Sequence, residues 1–103
     1  MTINIEPFDP AEYFQSEDAQ HRLLRDALES HNPRYLANAL GVIARAKGLS
    51  NLERQTGIKR QTIHKSFSEN GNPTLETLWT VIDAIGLELD FKPKDRRPEL
   101  APV

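Results

Sequence analysis

A chain of 103 residues with formal net charge −2 and no cysteine has the size of one small domain, able to bury a core without covalent staples. The lack of cysteine excludes disulfides and thiolate metal sites and makes a reducing cytoplasm the expected compartment. With 38% hydrophobic and 27% charged residues the chain reads as globular; no apolar run approaches the ~20 residues of a membrane span, and the N-terminus lacks a basic-then-apolar signal pattern.

The first elements are helical. In "FDPAEY" Asp9 is the expected N-cap, Pro10 takes the first helical position, Glu12 is the capping-box partner, and Phe8 and Tyr13 stand where a hydrophobic staple would put them. One or two turns are expected there. Ser16 caps a second helix with Glu17 and Asp18 in its first turn and Leu24, Ala27 and Leu28 on one side. Asn32-Pro33 opens a third, with Leu36, Ala39, Leu40, Ile43 and Ala46 at helical spacing, Arg45 and Lys47 in the last turn and Gly48 after it.

Ser50 is the expected cap of a short helix ending by Gly57, and a second short helix is expected from about Arg60 to Phe67. Glu69 to Pro73, "ENGNP", reads as a loop. Thr74 then caps a helix with Leu75, Leu78, Trp79, Ile82 and Ile85 on one face, stopped by Gly86. Beyond it Leu87, Leu89 and Phe91 alternate with Glu88, Asp90 and Lys92, the period of a half-buried strand. The expected organisation is an acidic N-terminal helical segment over 1–30, packed on or extending the domain, a helical domain with a terminal strand over 31–92, and a disordered tail over 93–103, rich in proline and charge.

Charge is segregated along the chain. Residues 1–30 carry net −5, residues 45–67 carry six cations against Glu53 for net +5, and residues 68–92 return to −4. A basic block between two acidic ones is either a surface for phosphates or an acidic partner, or a solvated helix face. Its core, "LERQTGIKRQTIHKSF" (Leu52 to Phe67), has the dimensions of a helix-turn-helix. Leu52, Ile58 and Ile63 would lock the two helices and Phe67 would anchor the second. In such a unit the start of the second helix enters the major groove. Arg60 and Gln61 suit guanine and adenine edges and Thr62 suits a base or a phosphate, whereas Lys59, His64 and Lys65 are placed for phosphates. Ser50 and Asn51, at the start of the preceding helix, complete the expected DNA-binding set.

From Gly48 to Leu89, "GLSNLERQTGIKRQTIHKSFSENGNPTLETLWTVIDAIGLEL" resembles the phage-repressor-like (Xre) helix-turn-helix family, and within it the HigA-like addiction-module antitoxins. The likeness extends upstream through an F-D-x-A-E-Y start, an acidic helix and an A-L-G-x-I-A-R-A-[KR]-G helix, and includes the loop Gly71 to Pro73, covering about Phe8 to Pro93. The resemblance implies an all-α domain of five to six helices, a dimer that binds operator double-stranded DNA and represses its own operon, and a RelE/ParE-like toxin as partner. A repressor without a toxin, or a helical protein-interaction domain, are the competing readings. Where that family usually has alanine, four residues before the turn glycine, this chain has Glu53. Ser50-x-x-Glu53 has the spacing of a capping box that would turn the carboxylate back to the helix start.

No enzymatic chemistry is expected. His21, His31 and His64 have no partner at metal-ligand spacing, no phosphate-cradling glycine loop occurs, and no cofactor is implied. The strand Leu87, Leu89 and Phe91 is the expected homodimer seam, because an alternating apolar edge is prone to pairing. Phe8, Tyr13 and Phe14, with Glu12, Glu17 and Asp18, form the expected toxin-binding surface, since a toxin that handles polyanionic RNA is expected to be basic; the rival reading is that the apolar members cover the core of the helix-turn-helix domain.

Overall fold

A computed structural model describes residues 9–94. A single 3-10 turn, Pro10–Tyr13, leads into five α-helices: α1 (Glu17–Glu29), α2 (Pro33–Lys47), α3 (Leu49–Thr56), α4 (Arg60–Ser66) and α5 (Leu75–Ala84). Phe8 lies outside the described residues, and so does most of the expected tail, of which Pro93 and Lys94 are seen without regular structure.

Four of these elements begin with a side-chain cap. Asp9 accepts from the Ala11 N–H, Ser16 from Ala19, Asn32 from Arg34 and Tyr35, and Thr74 from Thr77. Each satisfies donors that the first turn cannot pair internally. Between the 3-10 turn and α1, buried Gln20 donates to the Phe14 carbonyl at 2.7 Å and fixes the bend.

The core is built from α2 (Leu40, Ile43, Ala44), α3 (Leu52), α4 (Ile63, with Phe67 at its end) and α5 (Val81, Ile82, and Ile85 just after it). Leu23 and Leu24 of α1 pack against it. Phe67 is fully buried and sits where α4 comes closest to α2: a Cβ on Gly41 would collide with the Phe67 carbonyl oxygen. Glycine is required there by space, and the contact holds the C-terminal end of α4 on the centre of α2. At the turn between α3 and α4 the requirement is different. Gly57 has φ +80 with nothing near its missing Cβ, so it supplies a left-handed backbone. Its N–H donates to the Glu53 carbonyl, and the Thr56 hydroxyl accepts from the Ile58 N–H.

Several sequence expectations are corrected. Among the described residues there is no strand: residues 87–91 carry no regular structure, because alternation alone supplies no partner for a hydrogen-bonded ladder. Leu87 and Leu89 are half-buried against the core, while Phe91 is 82% exposed. Leu75 and Trp79, on the expected apolar face of α5, are exposed, and so is Leu28 of α1. Ser50 is not the cap of α3: Gly48, with φ +102, ends α2 and starts α3, whose first residue is Leu49. The Ser50–Glu53 capping box therefore does not form. Glu53 is only half-buried, so the helix pair accommodates it without burying an unpaired carboxylate.

The two glycines separate in a thermal melt. Gly41→Ala should cost about 3 kcal/mol or more, because backbone on both sides must move. Gly57→Ala should cost only about 1–2 kcal/mol of left-handed strain. Equal losses would contradict the close-approach account.

Candidate nucleic-acid interface

The basic block becomes one surface because α3 and α4 are short and their apolar residues all point inward. With Leu52, Ile63 and Phe67 fully buried, and Leu49, Glu53, Thr56 and Ser66 half-buried, the other positions of both helices face outward. Lys59, Arg60, Gln61, Thr62, His64 and Lys65 are all exposed, as are Ser50 and Asn51. Lys59 to Thr62 form the N-cap and first turn of α4, whereas His64 and Lys65 lie in its last turn.

Two hydrogen bonds organise the cations. Arg60 donates through Nη1 to Ser50 Oγ at 3.0 Å, bridging the first turns of α4 and α3. Arg54 donates through Nη2 to Asn51 Oδ1 at 3.0 Å. The serine read as a cap is instead the acceptor for the arginine, and Arg54 joins the surface although it was not among the candidate residues. Its spacing of three from Asn51 was the available signal.

Neither α3 nor α4 has a side-chain cap at its N-terminus. Both first turns therefore present backbone N–H donors without a side-chain acceptor, at the positive end of each helix dipole. Beside Arg54, Lys59 and Arg60 these are the donors that phosphate oxygens accept from.

The 3-10 turn is tied to the end of α2. Asp9 Oδ1 accepts from Arg45 Nε at 3.2 Å and lies 3.2 Å from its Nη2 in an ion pair, clamping the 3-10 turn onto the last turn of α2. The Ala11 N–H, then the Arg45 guanidinium and the nearby His64 charge, hold the Asp9 carboxyl below its ordinary value of 3.8, against a partial burial that raises it. His64 thus lies within the field of the N-terminal turn as well as on the basic surface.

Of the expected toxin surface, Glu12, Glu17, Asp18 and Tyr13 are exposed and Phe14 is half-buried. Asp18 pairs with Arg22 at 2.6 Å, both well exposed, and a bond so placed is easily exchanged for another partner. Larger apolar exposure occurs elsewhere. Leu75 is 68% and Trp79 52% exposed on one face of α5. Trp79 also lines a groove with Ile82, Asp83, Leu87, Glu88 and Leu89. Among the described residues no three His, Asp or Glu side chains gather into a possible metal site, and no helix is long and apolar enough to cross a membrane.

A family model described as "Probable addiction module antidote protein" matches residues 4–93. The chain belongs to that family. An antidote implies a cognate toxin, so a protein partner is part of this chain's function. An uncharacterized protein of Haemophilus influenzae (strain ATCC 51907 / DSM 11121 / KW20 / Rd) is 38% identical over 92 residues, covering 89% of this chain and 95% of that one. No solved structure matches. The match takes in the acidic N-terminal helix and the basic α3–α4 pair alike.

The Asp9 clamp predicts a pH signature. Because the folded-state value is lowered, the carboxylate's contribution is complete above 3.8 and is lost as pH falls through the lower folded value. Asp9→Asn should melt below the wild-type chain at neutral pH and together with it in strong acid. A gap that persists unchanged in acid would show that the charge is not what holds the turn.

Proposed function

We propose that the chain is an antitoxin that binds operator DNA through the first turns of α3 and α4, represses its own operon as a homodimer, and neutralises a RelE/ParE-like toxin. It acts by binding alone and performs no catalysis. The observation that carries the DNA reading is the junction of those two turns: both lack side-chain caps, both are exposed, and Arg60 is joined to Ser50 across them. On this reading α3–turn–α4 is a helix-turn-helix of phage-repressor type, with α4 as the recognition helix in the major groove. Arg60 and Gln61 read base edges, and Lys59, His64 and Lys65 meet phosphates with Arg54.

Gel-shift titrations at two salt concentrations test it. Arg60→Ala or Gln61→Ala should cost on the order of 1–3 kcal/mol on the operator and little on unrelated DNA. Lys59→Ala and Lys65→Ala should weaken binding to every duplex and lower the salt slope by about one per lost contact. Operator preference that survives Arg60→Ala would contradict the placement of α4.

A dimer supplies the second half-site about one helical turn, ~34 Å, away. The face carrying Leu75, Trp79, Leu87, Leu89 and Phe91 is our interface: two of these are half-buried and three are exposed, and the backbone of 88–91 makes no backbone hydrogen bond among the described residues. Trp79 is the chain's single tryptophan, so burial in a dimer should shift its emission to the blue as concentration rises. Sedimentation should show dimers at tens of micromolar, and Trp79→Ala should dissociate them. A monomer at all such concentrations would exclude this interface.

The toxin is assigned to the acidic N-terminal surface of Glu12, Tyr13, Phe14, Glu17 and Asp18, remote in charge from the DNA face. Because Leu23 and Leu24 of α1 belong to the packing of the domain, point substitutions are the proper test. Reversing Glu12, Glu17 and Asp18 to lysine should abolish neutralisation in co-expression with the toxin while operator binding persists.

A further inference from the structure

The Arg60–Ser50 hydrogen bond does more than join two helices. Arg60 is the first residue of α4, and its side chain is exposed. A free arginine at such a place samples many rotamers, and ordering it on a base edge costs up to about 2 kcal/mol of side-chain entropy. Here one Nη1 hydrogen is already engaged at 3.0 Å by an oxygen ten residues earlier. Ser50 is the second residue of α3, and the backbone that carries this oxygen is held by the Leu52 N–H bond to the Gly48 carbonyl. A guanidinium has five N–H donors in a rigid plane, and Ser50 uses one of them. The donors that remain include a pair on one edge, the number a guanine needs for its O6 and N7 acceptors.

The immediate neighbours support this assignment over a simpler one. Ser50 is not a helix cap, because α3 begins at Leu49 with Gly48 before it. Nor is its partner a carboxylate, which would neutralise the arginine and compete with DNA for its whole fork. A hydroxyl holds the guanidinium without cancelling its charge. Asn51 stands in the same relation to Arg54, bonded at 3.0 Å through an uncharged oxygen.

We propose that Ser50 is the positioning residue for sequence readout: by orienting the Arg60 guanidinium it sets a guanine preference at one base pair of each half-site, and it does so through Arg60 rather than through a phosphate of its own. This rests on the DNA-binding reading above. A phosphate contact strengthens binding to all duplexes alike, whereas an oriented base-reading fork strengthens binding to one.

The full-length wild-type chain is first used to select from a pool of randomised duplexes. The selected duplex, its guanine-to-adenine variants and a scrambled duplex of equal length then serve as probes for wild type, Ser50→Ala, Ser50→Thr and Arg60→Ala. In Ser50→Ala the ratio of selected to scrambled affinity should fall about ten-fold, with the loss greatest at the guanine read by Arg60. Ser50→Thr, which keeps the hydroxyl, should restore it. In the Arg60→Ala background, Ser50→Ala should cost nothing further, the mark of two residues acting as one. If the Ser50→Ala ratio equals the wild-type ratio, or if selected and scrambled duplexes weaken together with a lower salt slope, Ser50 does not position Arg60 and the proposal is overturned while DNA binding stands. If the wild-type chain enriches no sequence from the pool, the DNA reading itself falls and the proposal with it. Melting temperatures of the variants within the wild-type range show that any change in ratio is not a change in folding.

Discussion

The contact on which this structure depends is the approach of Gly41 in α2 to the backbone of Phe67 at the end of α4. Helix α4 has only seven residues, too few to be stable by its own hydrogen bonds. It exists because Ile63 and Phe67 are buried without remainder and because one glycine lets its C-terminal end sit directly on the longest helix. Burial of each such side chain is worth roughly 1.5–3 kcal/mol, enough to hold a two-turn helix when the seat is well shaped. With its apolar edge turned inward, Arg60, Gln61, Thr62, His64 and Lys65 of α4 are exposed to solvent. The basic surface is the reverse side of the core contact.

Helix ends show the same division of labour. The elements that form the scaffold are closed by Asp9, Ser16, Asn32 and Thr74, while α3 and α4 start without side-chain caps. Leaving a cap out costs a helix about 1 kcal/mol. Here the two uncapped starts coincide with the cationic block and with the Arg60–Ser50 bond. The two short helices give Leu52, Ile63 and Phe67 to the core and on their other side carry what the surface needs for an anionic partner. The Asp9–Arg45 clamp adds a link between the 3-10 turn and the last turn of α2.

How far the sequence carried this account depended on whether the signal was local. The four caps were readable because a side-chain oxygen beside an apolar run is a local event, and Asn32-Pro33 marked the start of α2 to the residue. Ser50 misleads because Gly48 serves two helices at once, placing the cap of α3 two residues nearer the N-terminus than Ser50. Residues 87–91 have a strand's rhythm, yet a ladder needs a second chain segment that the rhythm does not name. In α5 the spacing gave the direction of Leu75 and Trp79 but not how far the neighbouring helices reach. They cover Val81 and Ile82 and leave the first turns exposed. The eight candidate DNA residues were found from charge and helix order, whereas the bond between Ser50 and Arg60 is a tertiary contact that no spacing rule supplies.

Titration of the nitrogen-15-labelled chain with a short duplex, followed by amide chemical shifts, reads the central claim directly. Shifts concentrated in 49–51 and 60–62, the two uncapped first turns, with α1 and α5 little changed, are the result this account predicts. Shifts clustered on α1 or on the Leu75–Trp79 face, with 49–51 and 60–62 unmoved, would contradict it.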